Sequence, residues 1–182
     1  MTFREQYHKK AVPELMKQFG VTNRMAVPRV DYVVVNVGVG RQRGDEKYMT
    51  TVEQTLKRIT GQKPIMTRAK KSIAAFKIRE GQIVGAKITL RGKRMEDFMT
   101  KLIGVSFPRI HDFRGISAKS VDAQGNLTVG FREHLAFPEI RPDEVERIHG
   151  LEVSVHTTAK NREQGLALFR LLGFPFQTDS GT

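Results

Sequence analysis

The segment from Ile83 to Arg91 constrains the fold more than any other part of the chain. Apolar residues alternate along it with glycine, polar or basic residues: Val84, Ala86, Ile88 and Leu90 in one set, Gly85, Lys87, Thr89 and Arg91 in the other. Because successive side chains of a strand point to opposite faces, the first set is predicted to face a core and the second to face solvent. Side chains on one face recur roughly every 7 Å, a spacing comparable with that of phosphates along a nucleic-acid strand. The pattern therefore predicts an exposed basic sheet face.

Helix and strand patterns are interspersed along the rest of the chain. An amphipathic helix is predicted over about residues 3–20, where Pro13 either kinks the helix or opens a new one. The valine-rich segment Val30–Val39 predicts a strand that is buried on both faces at its centre. Shorter strands are predicted at 65–67, 127–131 and 151–155.

Capping signals place the remaining helices. Asp45 is predicted to cap a helix that ends at Gly61. Apolar residues spaced over 95–103 predict a second helix, which Pro108 is expected to end. A capping box at Asn161 begins a C-terminal helix at about 161–173, followed by a frayed tail at 177–182. We therefore expect a single α+β domain over residues 1–182, with two layers: a mainly antiparallel sheet and helices on one of its faces.

Positive charge is concentrated in one block of the sequence. Residues Lys57–Arg94 contain 12 Lys or Arg and one acidic residue, Glu80, so they carry +11 of the formal net charge of +12. A solvated charged face is the simplest alternative. However, these cations have few carboxylates to pair with, and they are interleaved with turn residues, hydroxyls and an aromatic, a mixture used for phosphate and base contacts. The block favours a nucleic acid as partner.

Other classes of function have weaker signals. The chain has no cysteine, which excludes disulfides and thiolate metal sites. No segment has the roughly 20 apolar residues of a membrane span or the core of a signal peptide, so no membrane partner is expected. The five histidines lack zinc-like spacing, and most are expected on the surface or in loops, with no metal or other cofactor.

Two rival functions stay open from the residues alone. Gly38-x-Gly40-x-x-x-Gly44 follows a strand and precedes a helix, as phosphate-binding turns do. Its third glycine is one position late for a dinucleotide fingerprint, and no P-loop ending follows, so a nucleotide-dependent enzyme is the less favoured reading. Binding to an anionic membrane surface is the second rival, although neither accounts for the polar, turn-rich composition of the basic block.

A family resemblance is carried by motifs along nearly the whole chain. Within the basic block, Gly61-Gln62-Lys63-Pro64-Ile65 and Ala69-Lys70-Lys71-Ser72 resemble the signature of the fifth large-subunit ribosomal protein. The similarity continues through residues 76–81, 87–95, 108–115, 137–140, 157–160 and the closing Gly173-Phe174-Pro175-Phe176. The bacterial form is the most similar. Residues 39–45 and the tail after Phe176 depart from the family pattern.

The resemblance implies a structural, non-enzymatic protein of the cytoplasmic ribosome. Members of this family bind 5S rRNA, help to attach it to 23S rRNA in the central protuberance, and contact P-site tRNA. Neighbouring proteins of the central protuberance are implied partners, as is the thirteenth small-subunit protein across the subunit bridge.

The resemblance also assigns roles to residues. It implies rRNA contacts from Asn36, Gly38, Arg68, Lys70, Lys71, Ser72, Lys87, Thr89 and Arg91. It places tRNA contacts at Lys77 and Arg79, within a basic protruding loop at about 68–82. It places the bridge region at Arg109 and Arg114. We therefore expect an outward basic sheet face for one RNA and a protruding loop for a second RNA.

Overall fold

The computed structural model describes residues 2–42, 45–145 and 147–177. In that part of the chain the α-helices are α1 (Phe3–Gln6), α2 (Val12–Phe19), α3 (Glu46–Thr60), α4 (Gly92–Lys101) and α5 (Arg162–Leu171). The strands are β1 (Val30–Gly38), β2 (Ile65–Arg68), β3 (Ile83–Leu90), β4 (Leu127–Phe131) and β5 (Leu151–Thr157). The tail at 177–182 is expected to fray, but from Thr178 onward its residues lie outside the described part of the chain.

The five strands form one antiparallel sheet in the order β2-β3-β1-β5-β4. Strand β2 lies at one edge and pairs with β3 so that Ile65 is opposite Lys87 and Thr67 is opposite Gly85. The register shifts between Thr67 and Arg68, where a bulge interrupts the ladder. The predicted α+β class with a mainly antiparallel sheet is therefore confirmed.

Internal contacts divide the chain into two compact units. The first comprises Met1–Val33, Leu90–Val129 and Ser154–Thr182, and the second comprises Val34–Thr89 and Gly130–Val153. Four of the strands contribute residues to both units, because the divisions fall within β1, β3, β4 and β5. The expectation of a single domain stays a prediction.

The first unit is built around helices at the two ends of its sequence. Phe3–Phe19 is one helical run, in which a π-helical turn at Tyr7–Ala11 joins α1 to α2. Pro13 lies in the first turn of α2, directly after the π-helical turn, and Gly20 ends the helix with a left-handed φ of 63°. Phe169 of α5 packs edge-to-face on Phe174, with ring centroids 5.0 Å apart, in the core of this unit.

The second unit buries one face of α3. Asp45 caps this helix as predicted, because its Oδ1 accepts hydrogen bonds from the backbone N–H of Lys47 and Tyr48 at 3.1 and 3.2 Å. Leu56 and Ile59 are fully buried on its inner face. These hydrogen bonds and that of Arg147 (Nη1–Oδ2, 2.6 Å) hold the pKa of Asp45 below its ordinary value.

Three sequence predictions need correction. β1 is buried on one face only, since Val33, Val35 and Val37 are buried while Val34 and Asn36 are half-buried. Pro108 does not end the helical segment after α4, because a π-helical turn at Leu102–Ser106 and a 3-10 turn at Phe107–Arg109 continue it past this residue. The capping box at Asn161 is incomplete.

The incomplete box has a simple geometry. Asn161 Oδ1 accepts from the backbone N–H of Gln164 at 2.9 Å, as predicted. The Gln164 side chain returns to the backbone N–H of Lys160 at 3.1 Å, one residue before the cap. The helix still begins and ends close to the predicted positions.

Candidate nucleic-acid interface

The second unit carries an open polar surface on β1 and β3. The alternation predicted for β3 is present from Ala86 onward: Ala86 and Ile88 are buried, Lys87 is exposed and Thr89 is half-buried. At the start of the strand the prediction is wrong, since Gly85 is buried and Val84 is half-buried. On β1, Asn36 is half-buried and Gly38 is exposed, on the side opposite the buried valines. Solvent therefore reaches the side chain or backbone of four residues proposed to contact rRNA: Asn36, Gly38, Lys87 and Thr89.

Gly85 of β3 lies close to its neighbours in β1 and β2. A Cβ at this position would lie 2.8 Å from the carbonyl oxygen of Val37 and 3.0 Å from Oγ1 of Thr67. A Cβ essentially never lies within 3.0 Å of another heavy atom, so a larger residue at position 85 would force the Val37 backbone to move. The glycine allows the backbones to approach closely at the centre of the polar surface.

A basic hairpin, residues 68–82, extends from this surface. Its base is closed by Ala69 N–H donating to Gln82 O at 2.9 Å and by Gly81 N–H donating to Ala69 O at 3.0 Å. Farther out, Ile73 and Ile78 exchange two backbone hydrogen bonds at 2.9 and 3.1 Å. The predicted loop is thus a hydrogen-bonded hairpin.

The tip of the hairpin is strained and exposed. Residues Ala74–Phe76 form a 3-10 turn, and Lys77 follows with φ at 52°, a left-handed conformation that L-residues rarely adopt. Phe76 is 63% exposed and Ile73 is 44% exposed. The tip therefore presents apolar and cationic side chains together, with no buried residue between 69 and 82.

The cations of this surface have no carboxylate partners within the described part of the chain. Among those residues, no ion pair involves the following exposed side chains: Arg68, Lys70, Lys71, Lys77, Arg79 and Lys87. The one acidic residue of the hairpin, Glu80, uses its backbone N–H to donate to Ser72 Oγ at 2.9 Å. Ser72 therefore has a structural role in addition to any contact with RNA, and the described residues leave the positive charge of the hairpin uncompensated.

Arg91 differs from these cations. It lies directly after β3, in the first unit, and its Nη1 is 3.8 Å from Asp31 Oδ2. Its guanidinium carbon lies 4.5 Å from the centre of the Tyr32 ring, which in turn stacks on the His156 ring with centroids 4.3 Å apart and an interplanar angle of 17°. Sequence reasoning missed Tyr32 and His156. Tyr32 shares the side-chain parity of Asn36 on β1, a signal that could have found it.

Arg109 and Arg114 lie in an exposed loop of the first unit. Phe113, between them, stacks on Phe107 with ring centroids 5.5 Å apart. Ile116 closes the loop, because its backbone N–H donates to Pro175 O at 2.7 Å and its carbonyl accepts from Gln177 N–H at 2.9 Å. Both arginines are held on an anchored loop, but the structure brings them to no other proposed site residue.

Two of the five histidines are buried, whereas His8 and His111 are exposed and His156 is half-buried, so most lie outside the core as expected. His134 and His149 are 1% and 4% exposed, and their rings stack with centroids 4.1 Å apart. Burial, followed by the charge of His134, lowers the pKa of His149 to about 4. Both rings are therefore neutral at pH 7, and no cluster of three possible metal ligands occurs among residues 2–42, 45–145 and 147–177.

Comparison with known proteins decides the family. The model of the ribosomal protein L5 family matches residues 23–79, and the model of the C-terminus of this ribosomal family matches residues 83–176. The chain belongs to the ribosomal L5 family. Two relatives named large ribosomal subunit protein uL5 are similar over nearly their whole length. The one from Halothermothrix orenii is 52% identical over 94% of this chain and 96% of its own, and the one from Francisella tularensis subsp. mediasiatica is 50% identical over 96% and 98%.

Membership of the ribosomal L5 family makes the chain a structural ribosomal protein and not an enzyme. The resemblance inferred from the sequence motifs is confirmed, and the nucleotide-dependent enzyme at Gly38–Gly44 is ruled out as the main function. Arg43 and Gly44 of that loop lie outside the described residues. No helix in the described part of the chain is long and apolar enough to cross a bilayer.

Proposed function

We propose that this chain is a constituent of the large ribosomal subunit that binds 5S rRNA and helps to attach it to 23S rRNA in the central protuberance. The contacts come from Asn36, Gly38, Arg68, Lys70, Lys71, Ser72, Lys87, Thr89 and Arg91. The basic hairpin contacts P-site tRNA through Lys77 and Arg79. The loop that carries Arg109 and Arg114 faces the thirteenth small-subunit protein across the subunit bridge.

The observation that carries this proposal is the set of exposed cations that have no carboxylate partner among the described residues. Clustered like charges repel one another, and binding a polyanion relieves that repulsion while releasing counterions. The polar sheet surface adds an amide, a hydroxyl and exposed backbone, which are the groups that bind ribose and base edges. A plain solvated surface would need no such combination.

The surface also suits RNA more than a membrane. Its apolar residues lie at the hairpin tip, whereas the sheet surface offers Asn36, Thr89 and the closely packed Gly85. A polar surface of this kind fits a folded RNA whose loop bases and 2′-hydroxyls are accessible. The hairpin projects a second set of cations, so that two RNAs can be bound by different parts of one unit.

This division of labour can be tested with two substitutions. Lys87→Gln should weaken 5S rRNA binding about 3- to 10-fold and reduce the slope of log Kd against log salt by about one. Arg79→Ala should leave 5S rRNA binding nearly unchanged and weaken retention of P-site tRNA on assembled ribosomes. Filter binding at several salt concentrations measures the first effect, and tRNA retention on purified ribosomes measures the second.

Lys119→Gln is the matched control, because Lys119 is exposed and lies outside the proposed contacts. If Lys87→Gln and Lys119→Gln changed the affinity and the salt slope equally, the sheet surface would have no special role. If Arg79→Ala abolished 5S rRNA binding, the assignment of the hairpin to a second RNA would be wrong.

A further inference from the structure

We infer that Tyr32 and His156 position Arg91 as a stacking surface for one unpaired RNA base, rather than as a point charge for a phosphate. The inference rests on the proposed binding of RNA and specifies how one residue of the interface works. Its basis is the arrangement of Arg91, Tyr32 and His156 in the first unit, here named the Arg91 stack.

The sheet order explains why the Tyr32 ring is covered on both faces. Tyr32 belongs to β1, which lies between β3 and β5. Arg91 directly follows β3, and His156 belongs to β5, so the two side chains reach the Tyr32 ring from opposite sides. With a guanidinium 4.5 Å from its centre and an imidazole 4.3 Å from its centre, the ring has no face left for a base. Tyr32 is therefore a support and not itself the stacking surface.

Arg91 keeps an accessible side in this arrangement. Its side chain is 62% exposed although it contacts both Tyr32 and Asp31. A long side chain that is held at its tip and still exposed is pre-organised, so that binding costs it less conformational entropy. A guanidinium plane is a surface on which an unpaired RNA base can stack.

The simpler explanation is an ordinary surface ion pair with Asp31. The separation of 3.8 Å and the 46% exposure of the Asp31 side chain make this pair weak, because exposed ion pairs contribute little free energy. An ion pair also does not require the aromatic stack beneath it. Nor does it explain why an arginine stands here, directly after β3, when the cation within that strand is Lys87: a lysine cannot supply the plane of a guanidinium.

The test uses a single-stranded RNA of 12 nucleotides and a twin of equal length and charge that lacks bases. Stacking of one base contributes enough free energy for a preference of about 10-fold. The wild-type chain should therefore bind the base-bearing RNA about 10-fold more tightly than the abasic twin. Arg91→Lys, which keeps the charge but loses the plane, should lose most of this preference while the affinity for the abasic twin and the salt slope stay unchanged.

Two substitutions of Tyr32 test its role as a positioning residue. Tyr32→Leu should lose the preference to the same degree as Arg91→Lys, whereas Tyr32→Phe, which keeps the ring, should retain it. Lys119→Arg, at an exposed position outside the proposed contacts, serves as the control and should leave the preference unchanged. Circular dichroism of each variant confirms that it is folded, and Arg91→Lys at an exposed position provides the decisive result if Tyr32→Leu fails to fold.

The outcomes separate this inference from the proposed function. Equal affinity of the wild-type chain for both RNAs would overturn the Arg91 stack even if 5S rRNA bound tightly. An unchanged preference in Arg91→Lys would do the same. If the preference were present and sensitive to Arg91→Lys while 5S rRNA bound no better than an unrelated RNA of equal length, the inference would stand and the proposed function would fall.

Discussion

The basic hairpin and strand β3 follow each other in the chain and both carry net positive charge, but they are supported in opposite ways. Residues 69–82 contain no buried side chain and are held by backbone hydrogen bonds. In β3, Ala86, Ile88 and Leu90 are buried, and Lys87 is carried on the opposite face. Buried neighbours therefore fix the position of the strand, whereas backbone hydrogen bonds fix the position of the hairpin. The strand should therefore behave as part of the cooperative core, and the hairpin as a local structure.

Two isoleucines provide the sharpest contrast in stability. Ile88 is 2% exposed and Ile73 is 44% exposed. Ile88→Ala should lower the free energy of unfolding by about 2–5 kcal/mol, because it removes buried methyl groups and leaves a cavity. Ile73→Ala should change it by less than about 1 kcal/mol. Urea denaturation measures both, and equal losses would show that the hairpin belongs to the cooperative core.

Ionisable groups extend the comparison between buried and exposed regions. The pKa of His149 is lowered from 6.5 to about 4, mainly by burial and also by His134. As the pH falls from 6.5 towards 4, the unfolded chain therefore binds a proton that the folded chain excludes, and stability is lost over that window. Between pH 7.5 and pH 5 the loss from this residue should be about 2 kcal/mol.

Urea midpoints at these two pH values check this expectation. His149→Phe should flatten the pH dependence, because Phe keeps a ring against His134 but cannot bind a proton. Lys77→Gln, in the exposed hairpin, should leave the dependence as it is in the wild-type chain, because it lies outside the buried histidine pair. Burial lowers the pKa of His134 as well, so a smaller dependence should remain in His149→Phe; an undiminished one would assign the acid sensitivity to other groups.

The smallest expected effect concerns the hairpin tip. Lys77→Gly and Lys77→Val remove the same charge, but glycine adopts the left-handed φ of 52° without strain and a β-branched residue does not. Lys77→Val should therefore destabilise the hairpin by roughly 1–2 kcal/mol relative to Lys77→Gly. Hydrogen exchange at the amides of Ile73 and Ile78 measures this difference. Identical exchange rates in the two variants would mean that the tip is not held in the observed turn.

Local signals made much of the fold predictable. The alternation around Lys87 gave β3 and its two faces, because a strand has a side-chain period of two residues. The cap at Asp45 and the left-handed ends at Gly20 and Gly61 gave helix boundaries, since these features depend on neighbouring residues. Charge without compensation gave the basic block Lys57–Arg94 as a candidate binding segment, and the family resemblance gave the protruding loop within it.

Features that depend on distant parts of the chain were not predictable. The support of Arg91 by Tyr32 and His156 requires knowing that β1 lies between β3 and β5. The burial of His134 with His149 depends on a tertiary contact between the two rings, which their spacing in the sequence does not reveal. The one-sided burial of β1 was missed because a run of valines does not distinguish a strand covered on two faces from one covered on one face.

Strand β2 has a consequence for the protein before it is bound to RNA. This strand lies at the edge of the sheet, contains four residues, and is interrupted by a register shift before the exposed Arg68. Short length, a bulge and a terminal cation each hinder the addition of a foreign strand to an open edge. Newly made copies that await assembly are thereby protected from joining edge to edge into fibrils. The same edge leads directly into the basic hairpin, on which RNA binding is proposed to depend.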